Sequence, residues 1–147
     1  MRAVVLVGGE GTRLRPLTYS TPKPLLPVAG VTIIERVLGH LASAGVTDAV
    51  LSMGYRPDAF LDAFPDGRAA GVALTYAVEP ERMDTAGAIR FAALAAGVDE
   101  RFVVVNGDVL TDLSVSELVT FHEQRGAEAT IALTPVDDPS AFGVVPT

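Results

Sequence analysis

Two segments have the types and spacing for phosphate chemistry. Gly8-Gly9-Glu10-Gly11-Thr12 closes a short apolar run and is followed by Arg13 and Arg15, then by Pro22-Lys23-Pro24. Clustered glycines let backbone N–H groups approach a phosphate without side-chain obstruction. A glycine pair alone reads first as a tight turn. Here, however, cations gather in a chain whose net charge is −7, which points to an anion site. Asn106-Gly107-Asp108 follows a second apolar run. It reads either as a turn, which both dipeptides favour, or as the strand end where a carboxylate holds Mg²⁺. Glu79-Pro80 ends a third run.

Known phosphate loops do not account for the first segment. A Walker A loop needs Gly-Lys followed by Ser or Thr, which the sequence lacks. The dinucleotide fingerprint would need glycine at Leu14 and an acidic residue about twenty positions on, at the end of a second strand. Glu35 stands nearest, inside an expected helix, which disfavours a hydride-transfer cofactor.

Short apolar runs alternating with helical ones position these segments. Residues 3–7 read as a buried parallel strand. Thr32 is placed to cap a helix with Ile33, Ile34, Val37, Leu38 and Leu41 on one face and Gly45 at its end. Residues 49–53 and 72–78 read as strands. Thr85 is expected to cap a helix carrying Ile89, Ala93 and Ala96 on one face, closed by Gly97. Residues 102–105 carry the strongest strand pattern. Ser114-Val115-Ser116-Glu117 is a capping-box pattern, with Leu118 and Phe121 at helical spacing before Gly126. Residues 129–133 and 142–145 read as two further strands. The alternation implies an α/β fold, a mostly parallel sheet flanked by helices, with ligands at the carboxyl ends of its strands.

The 147 residues match one ordinary domain, which buries roughly 70% of the surface its unfolded chain exposes. A hydrophobic share of 49% with 20% charged residues excludes disorder. The acidic balance excludes a general binder of nucleic acid or membrane surfaces, since both are polyanionic. With no cysteine, disulfides and thiolate metal sites are excluded. Met1-Arg2-Ala3-Val4 runs straight into an expected strand, without the apolar stretch and cleavage site of a signal peptide. No apolar run approaches the ~20 residues that span a bilayer. A cytoplasmic, soluble protein is expected, with no nucleic-acid or membrane partner.

The whole run GGEGTRLRPLTYSTPK, residues 8–23, resembles the signature of the sugar-1-phosphate nucleotidyltransferases. TAGAIR, VVVNGDVL and AFGVV carry the resemblance through the rest of the chain. LVGGEGTRLRPLT and PKPLLPVAG are most similar to the mannose-1-phosphate guanylyltransferase branch. The resemblance implies a Rossmann-like nucleotide-diphosphosugar transferase core. It also implies transfer of GMP from GTP to mannose 1-phosphate, with pyrophosphate released. The alternatives are a thymidylyl- or uridylyltransferase acting on glucose 1-phosphate, or a noncatalytic subunit that senses nucleotide sugars. Intact Arg13, Lys23 and Asp108 favour an enzyme.

By the same resemblance Val7, Gly8, Gly9, Glu10, Gly11, Thr12, Glu79, Thr85, Asn106 and Gly107 bind the nucleotide, and Asp108 holds Mg²⁺. Arg13 steadies the triphosphate and the leaving pyrophosphate, a task suited to a two-pronged permanent cation. Lys23 meets the α-phosphate and the sugar phosphate. Glu79 stands where thymidylyl relatives pair a glutamine with the base. A carboxylate offers acceptors only, which suits the adjacent donors of guanine; the other reading is an exposed loop glutamate. Arg15 is open between phosphate contact and solvation, and Asp112 reads as a loop or capping residue. His40 and His122 suit surface or packing roles. Asp84 departs from the family, which places glycine before TAG; its carboxylate either caps the helix or crowds an anionic ligand. The family's Glu-Lys-Pro segment and second metal-binding aspartate are missing from the sequence. Residues 1–147 are therefore expected to be the N-terminal, nucleotide-binding part of a domain truncated before its sugar-phosphate half. A homo-oligomer would form through that missing part.

Overall fold

The structure, a computed structural model, describes residues 1–138, 140 and 145. The chain forms two units, Met1–Leu113 and Ser114–Thr147. The first contains β1 (Arg2–Leu6), β2 (Pro27–Val28), β3 (Val31–Thr32), α1 (Ile33–Ser43), β4 (Asp48–Met53), α2 (Pro57–Ala63), β5 (Arg68–Ala69), β6 (Val72–Val78), α3 (Asp84–Ala95) and β7 (Phe102–Asn106). The second contains α4 (Val115–Arg125).

The main sheet has the order β5-β6-β4-β1-β7. All its pairings are parallel except that of β5 with β6. The chain winds outward from β1 through β4 to β6, then returns to the far side of β1 as β7. That reversal opens a crevice at the carboxyl end of β1, the usual ligand position in open α/β sheets.

β1 is buried on both faces, with Ala3, Val4 and Val5 each at 0% exposure, which is why it reads as an unbroken apolar run. Side chains alternate, so Val4 and Val50 share one face, where they pack with Ala77 and with Ala92 of α3. Val5, Leu51 and Met53 point the other way and are equally buried. α1 lies against β5 and β6. Its capping box is complete: Thr32 Oγ1 accepts from the Glu35 amide, and Glu35 Oε2 accepts from the Thr32 amide. The five apolar residues expected on one face of α1 are the five it buries. Tyr76 Oη donates to the Phe64 carbonyl at 2.9 Å, and burial pushes its pKa upward.

Some expectations need correction. α3 begins at Asp84 with no side-chain cap, so Thr85 lies inside the helix rather than capping it. Of the face expected through Ile89, Ala93 and Ala96, Ala93 is buried and Ala96 packs against the core, while Ile89 is only half-buried; Ala88 and Ala92, small enough to sit close on the sheet, complete the buried face. Residues 129–133 form no strand. Ile131 is 71% exposed, and no described strand pairs with this segment. The strand expected over residues 142–145 lies outside the described residues, save for Val145. In the second unit, Ser114 Oγ accepts from the Glu117 amide, one half of the expected capping box, and Gly126 ends α4. No described helix is long and apolar enough to cross a membrane.

Candidate functional site

A cleft of about 920 Å³ occupies the crevice, a volume ordinary for a small-molecule site. Its walls come from the carboxyl ends of four strands. β1 supplies Val7 and the loop of Gly8, Gly9, Glu10, Gly11 and Thr12, β4 sets Ser52 just behind the wall, β6 leads to Glu79, and β7 ends in Asn106 and leads to Asp108.

The loop after β1 is fastened from behind. Gly11 has φ +62°, and a Cβ there would stand 3.0 Å from Thr18 Cγ2 and 3.2 Å from Lys23 Cβ. Glycine therefore serves both the left-handed backbone and the close approach. Thr18, at 1% exposure, donates Oγ1 to the Gly11 carbonyl at 2.8 Å. Buried Pro22 and Pro24 flank Lys23 at the start of a 3-10 turn, anchoring its backbone while its side chain reaches the cleft.

Lys23 Nζ donates to Asp108 Oδ2 at 2.9 Å, with the two side chains 31% and 37% exposed. This ion pair joins the loop after β1 to the one after β7. Among the described residues no three His, Cys, Asp or Glu gather into a metal-holding group. A metal at Asp108 would thus draw further ligands from a phosphate and water, as hard divalent cations commonly do.

Gly107 sits beneath the cleft rather than on its wall. A Cβ there would come within 2.5 Å of Val7 Cγ1, 3.1 Å of Val5 Cγ1 and 3.3 Å of the Leu6 carbonyl. Val7 is buried and a valine has few rotamers to yield. Gly107→Ala is expected to lower stability by about 1–3 kcal/mol through overpacking, measured by urea unfolding. A loss below about 0.5 kcal/mol, the scatter of neutral surface changes, would mean that Val7 moves aside freely.

The other expected residues divide. Thr85 lines the cleft with those already named. Arg13 is exposed on the 3-10 turn Thr12–Leu14, outside the lining. No described residue pairs with it. Arg15 is drawn to Glu10 at 3.4 Å and lies over the Tyr19 ring at 5.4 Å. Asp84 lines the cleft but caps nothing; its carboxylate pairs with Arg82 at 3.3 Å, both almost fully exposed. Its φ of +52° is one that glycine adopts without cost and aspartate tolerates better than most residues. His40 Nε2 donates to the Leu113 carbonyl at 2.8 Å, a packing role. In the second unit His122 Nδ1 meets Thr130 Oγ1 at 2.9 Å. Sequence reasoning missed Thr18, Ser52 and Gly54, the last in the cleft wall with its amide nitrogen 3.2 Å from where a Cβ at Gly8 would stand. A serine and a glycine bracketing the end of an apolar strand were the available signal for the last two.

A family model described as Nucleotidyl transferase matches residues 2–147. The chain is 44% identical to mannose-1-phosphate guanylyltransferase of Mycobacterium tuberculosis, across 99% of this chain and 40% of that protein. Mannose-1-phosphate guanyltransferase of Aspergillus oryzae matches with the same identity and the same shares. Among solved structures, HddC from Yersinia pseudotuberculosis complexed with GMP-PN has a TM-score of 0.72 at 28% identity, covering 82% of this chain and 53% of that one. The chain spans about 40% of the length of the curated relatives it matches.

Proposed function

The chain belongs to the nucleotidyl transferase family, and on that premise we propose that the protein transfers GMP from GTP to mannose 1-phosphate, giving a nucleotide sugar and pyrophosphate. The observation that carries this reading is the placement of Glu79 and of the Lys23–Asp108 pair in one cleft. Glu79 continues β6, its amide bonded to the Met53 carbonyl at 2.8 Å, and Asp108 follows β7. Two strands lie between β6 and β7, so the two ends stand about 14 Å apart at about 4.8 Å per strand. A nucleotide laid across the strand ends puts its base at Glu79 and its phosphates over the β1 loop, toward Lys23. The likeness to guanylyltransferases along the whole chain supports guanine as that base.

Among the described residues, five carboxylates and two cations line the cleft. A triphosphate adds more negative charge, so a divalent cation accompanies it, and a single carboxylate with phosphate oxygens suits Mg²⁺. When bound beside Asp108, Mg²⁺ would supply positive charge that offsets the charge of the phosphates. The chain's own residues position and stabilise. An oxygen of mannose 1-phosphate attacks the α-phosphorus in line, the bond from that phosphorus to the bridging oxygen breaks, and pyrophosphate leaves. Amides of residues 8–12 hold the phosphates, Lys23 balances charge on the α-phosphoryl oxygens, and exposed Arg13 closes on the departing pyrophosphate. The reaction is cytoplasmic in this reading, without nucleic acid or membrane.

Pyrophosphate release by the full-length gene product tests the proposal, with GTP, dTTP and UTP each paired with mannose 1-phosphate and glucose 1-phosphate. GTP with mannose 1-phosphate is expected to lead the other pairs by about tenfold or more in kcat/KM. A lead by dTTP or UTP would reject the guanylyl assignment. No release with any pair would favour a sensing role.

A further inference from the structure

Ser52 interrupts the apolar run of β4 one residue before the strand ends, and it is 0% exposed. A hydroxyl shut away from water needs a partner. Ser52 Oγ donates to Glu79 Oε1 at 3.1 Å. The Ala88 carbonyl of α3 lies 3.4 Å from the same oxygen. One hydroxyl carries one proton, so these acceptors compete, and the nearer, charged one makes the stronger bond. The contact follows from the sheet register: Ser52 lies beside Ala77, two residues before Glu79 and on the same face.

The carboxylate is held from a second side as well. Glu79 Oε2 accepts from the Met83 amide at 3.4 Å. On the cleft side, a Cβ at Gly8 would stand 3.5 Å from Oε1, so the glycine loop runs directly past the carboxylate. Each carboxylate oxygen has about two acceptor positions. One bond from the protein to each therefore leaves both able to accept from a ligand.

We infer that Ser52 is a specificity-determining positioning residue, fixing the Glu79 carboxylate so that the cleft selects guanine. The inference rests on the reading of Glu79 as the group that meets the base. Guanine presents two N–H donors side by side, and accepting both requires the two oxygens to lie in one set plane. A glutamate side chain left free would have to be ordered by the ligand, at an entropic cost that prior fixing removes. Thymine and uracil do not present that donor pair, so the fixed carboxylate favours neither.

The test measures kcat/KM for GTP and for dTTP in the full-length gene product, with thermal unfolding alongside. The variants are Ser52→Ala, Ser52→Thr, Glu79→Gln and the double variant of Ser52→Ala with Glu79→Gln. Glu79→Gln sets an amide donor against a guanine donor, and the GTP-to-dTTP ratio is expected to fall about 10- to 100-fold. Ser52→Ala is expected to lower the ratio about three- to tenfold, through KM for GTP with kcat nearly unchanged. Ser52→Thr restores the hydroxyl and the ratio. In the Glu79→Gln background, Ser52→Ala should have no further effect on the ratio. Should Ser52→Ala not fold, Ser52→Cys, a weaker donor of similar shape, serves the same comparison. A ratio lowered by Glu79→Gln but unmoved by Ser52→Ala would overturn the role of Ser52 alone. Equal losses for both nucleotides in Ser52→Ala would overturn it too, leaving a core serine bonded to Ala88. A ratio unmoved by Glu79→Gln would overturn the guanine reading of Glu79, and this inference with it.

Discussion

Replacing Asp108 with asparagine is expected to lower kcat/KM about 10³-fold, roughly 4 kcal/mol of transition-state stabilisation. The amide keeps the side chain's shape and still offers an oxygen to Lys23 Nζ, now 2.9 Å from Asp108. What the substitution removes is one negative charge. In the proposed reading that charge lies at the phosphate end of the cleft, where a divalent cation needs an anionic anchor beside the triphosphate. Stability should barely change, because an ion pair with both partners about a third exposed contributes at most about 1 kcal/mol. Thermal unfolding therefore separates lost chemistry from lost fold. The residual activity should need more Mg²⁺, and calorimetry should show weaker Mn²⁺ binding in the presence of GTP. Superimposable metal titrations of variant and wild type would return Asp108 to the turn that Asn106-Gly107 makes unaided.

How much could be read beforehand depended on whether a residue's role is local. The strands near residues 3–7 and 49–53 were legible because strands covered on both faces are apolar runs of bounded length, whereas residues 72–78 showed alternation and residues 102–105 a run of β-branched valines. The cap of α1 was legible because Thr32 and Glu35 meet within one turn. Residues 129–133 misled for a related reason. Their β-branched and aliphatic composition says that they suit a half-buried pleated surface, but a strand forms only beside another. α2 went unread because it buries one residue, Phe60, too little for a period. Its start signal was Pro57 in the first turn. The glycine loop, Lys23, Glu79 and Asp108, which share one cleft, stood out because the proposed phosphate and base chemistry needs uncommon types at particular spacings. Ser52 and Gly107 did not show their roles, since both depend on a neighbouring strand. Ser52 meets Glu79 through the pairing of β4 with β6, and Gly107 is confined by Val5 and Val7.

Lys23→Met is expected to move two measurements in opposite directions. Activity should fall about 10²-fold, because a preorganised cation beside the reacting phosphate contributes roughly 3 kcal/mol. Metal binding to the nucleotide-free protein should instead grow stronger. The Lys23 ammonium pairs with Asp108, so a divalent cation must compete with it for the carboxylate. Methionine keeps much of the length of the stem but carries no charge, which leaves Asp108 to the metal. The pair is partly solvated, so the release is modest, about a three- to fivefold gain in Mn²⁺ affinity, in line with the ~1 kcal/mol ceiling of such pairs. High salt should shrink the gain, since it screens the pair in the wild type. Lys23→Arg provides the comparison, because it retains the charge and should leave metal affinity near that of wild type. A misfolded variant would lose activity and metal binding together. Unchanged Mn²⁺ affinity in Lys23→Met would mean that Lys23 and a metal do not share Asp108, and the metal would then have to be sought elsewhere along the phosphates.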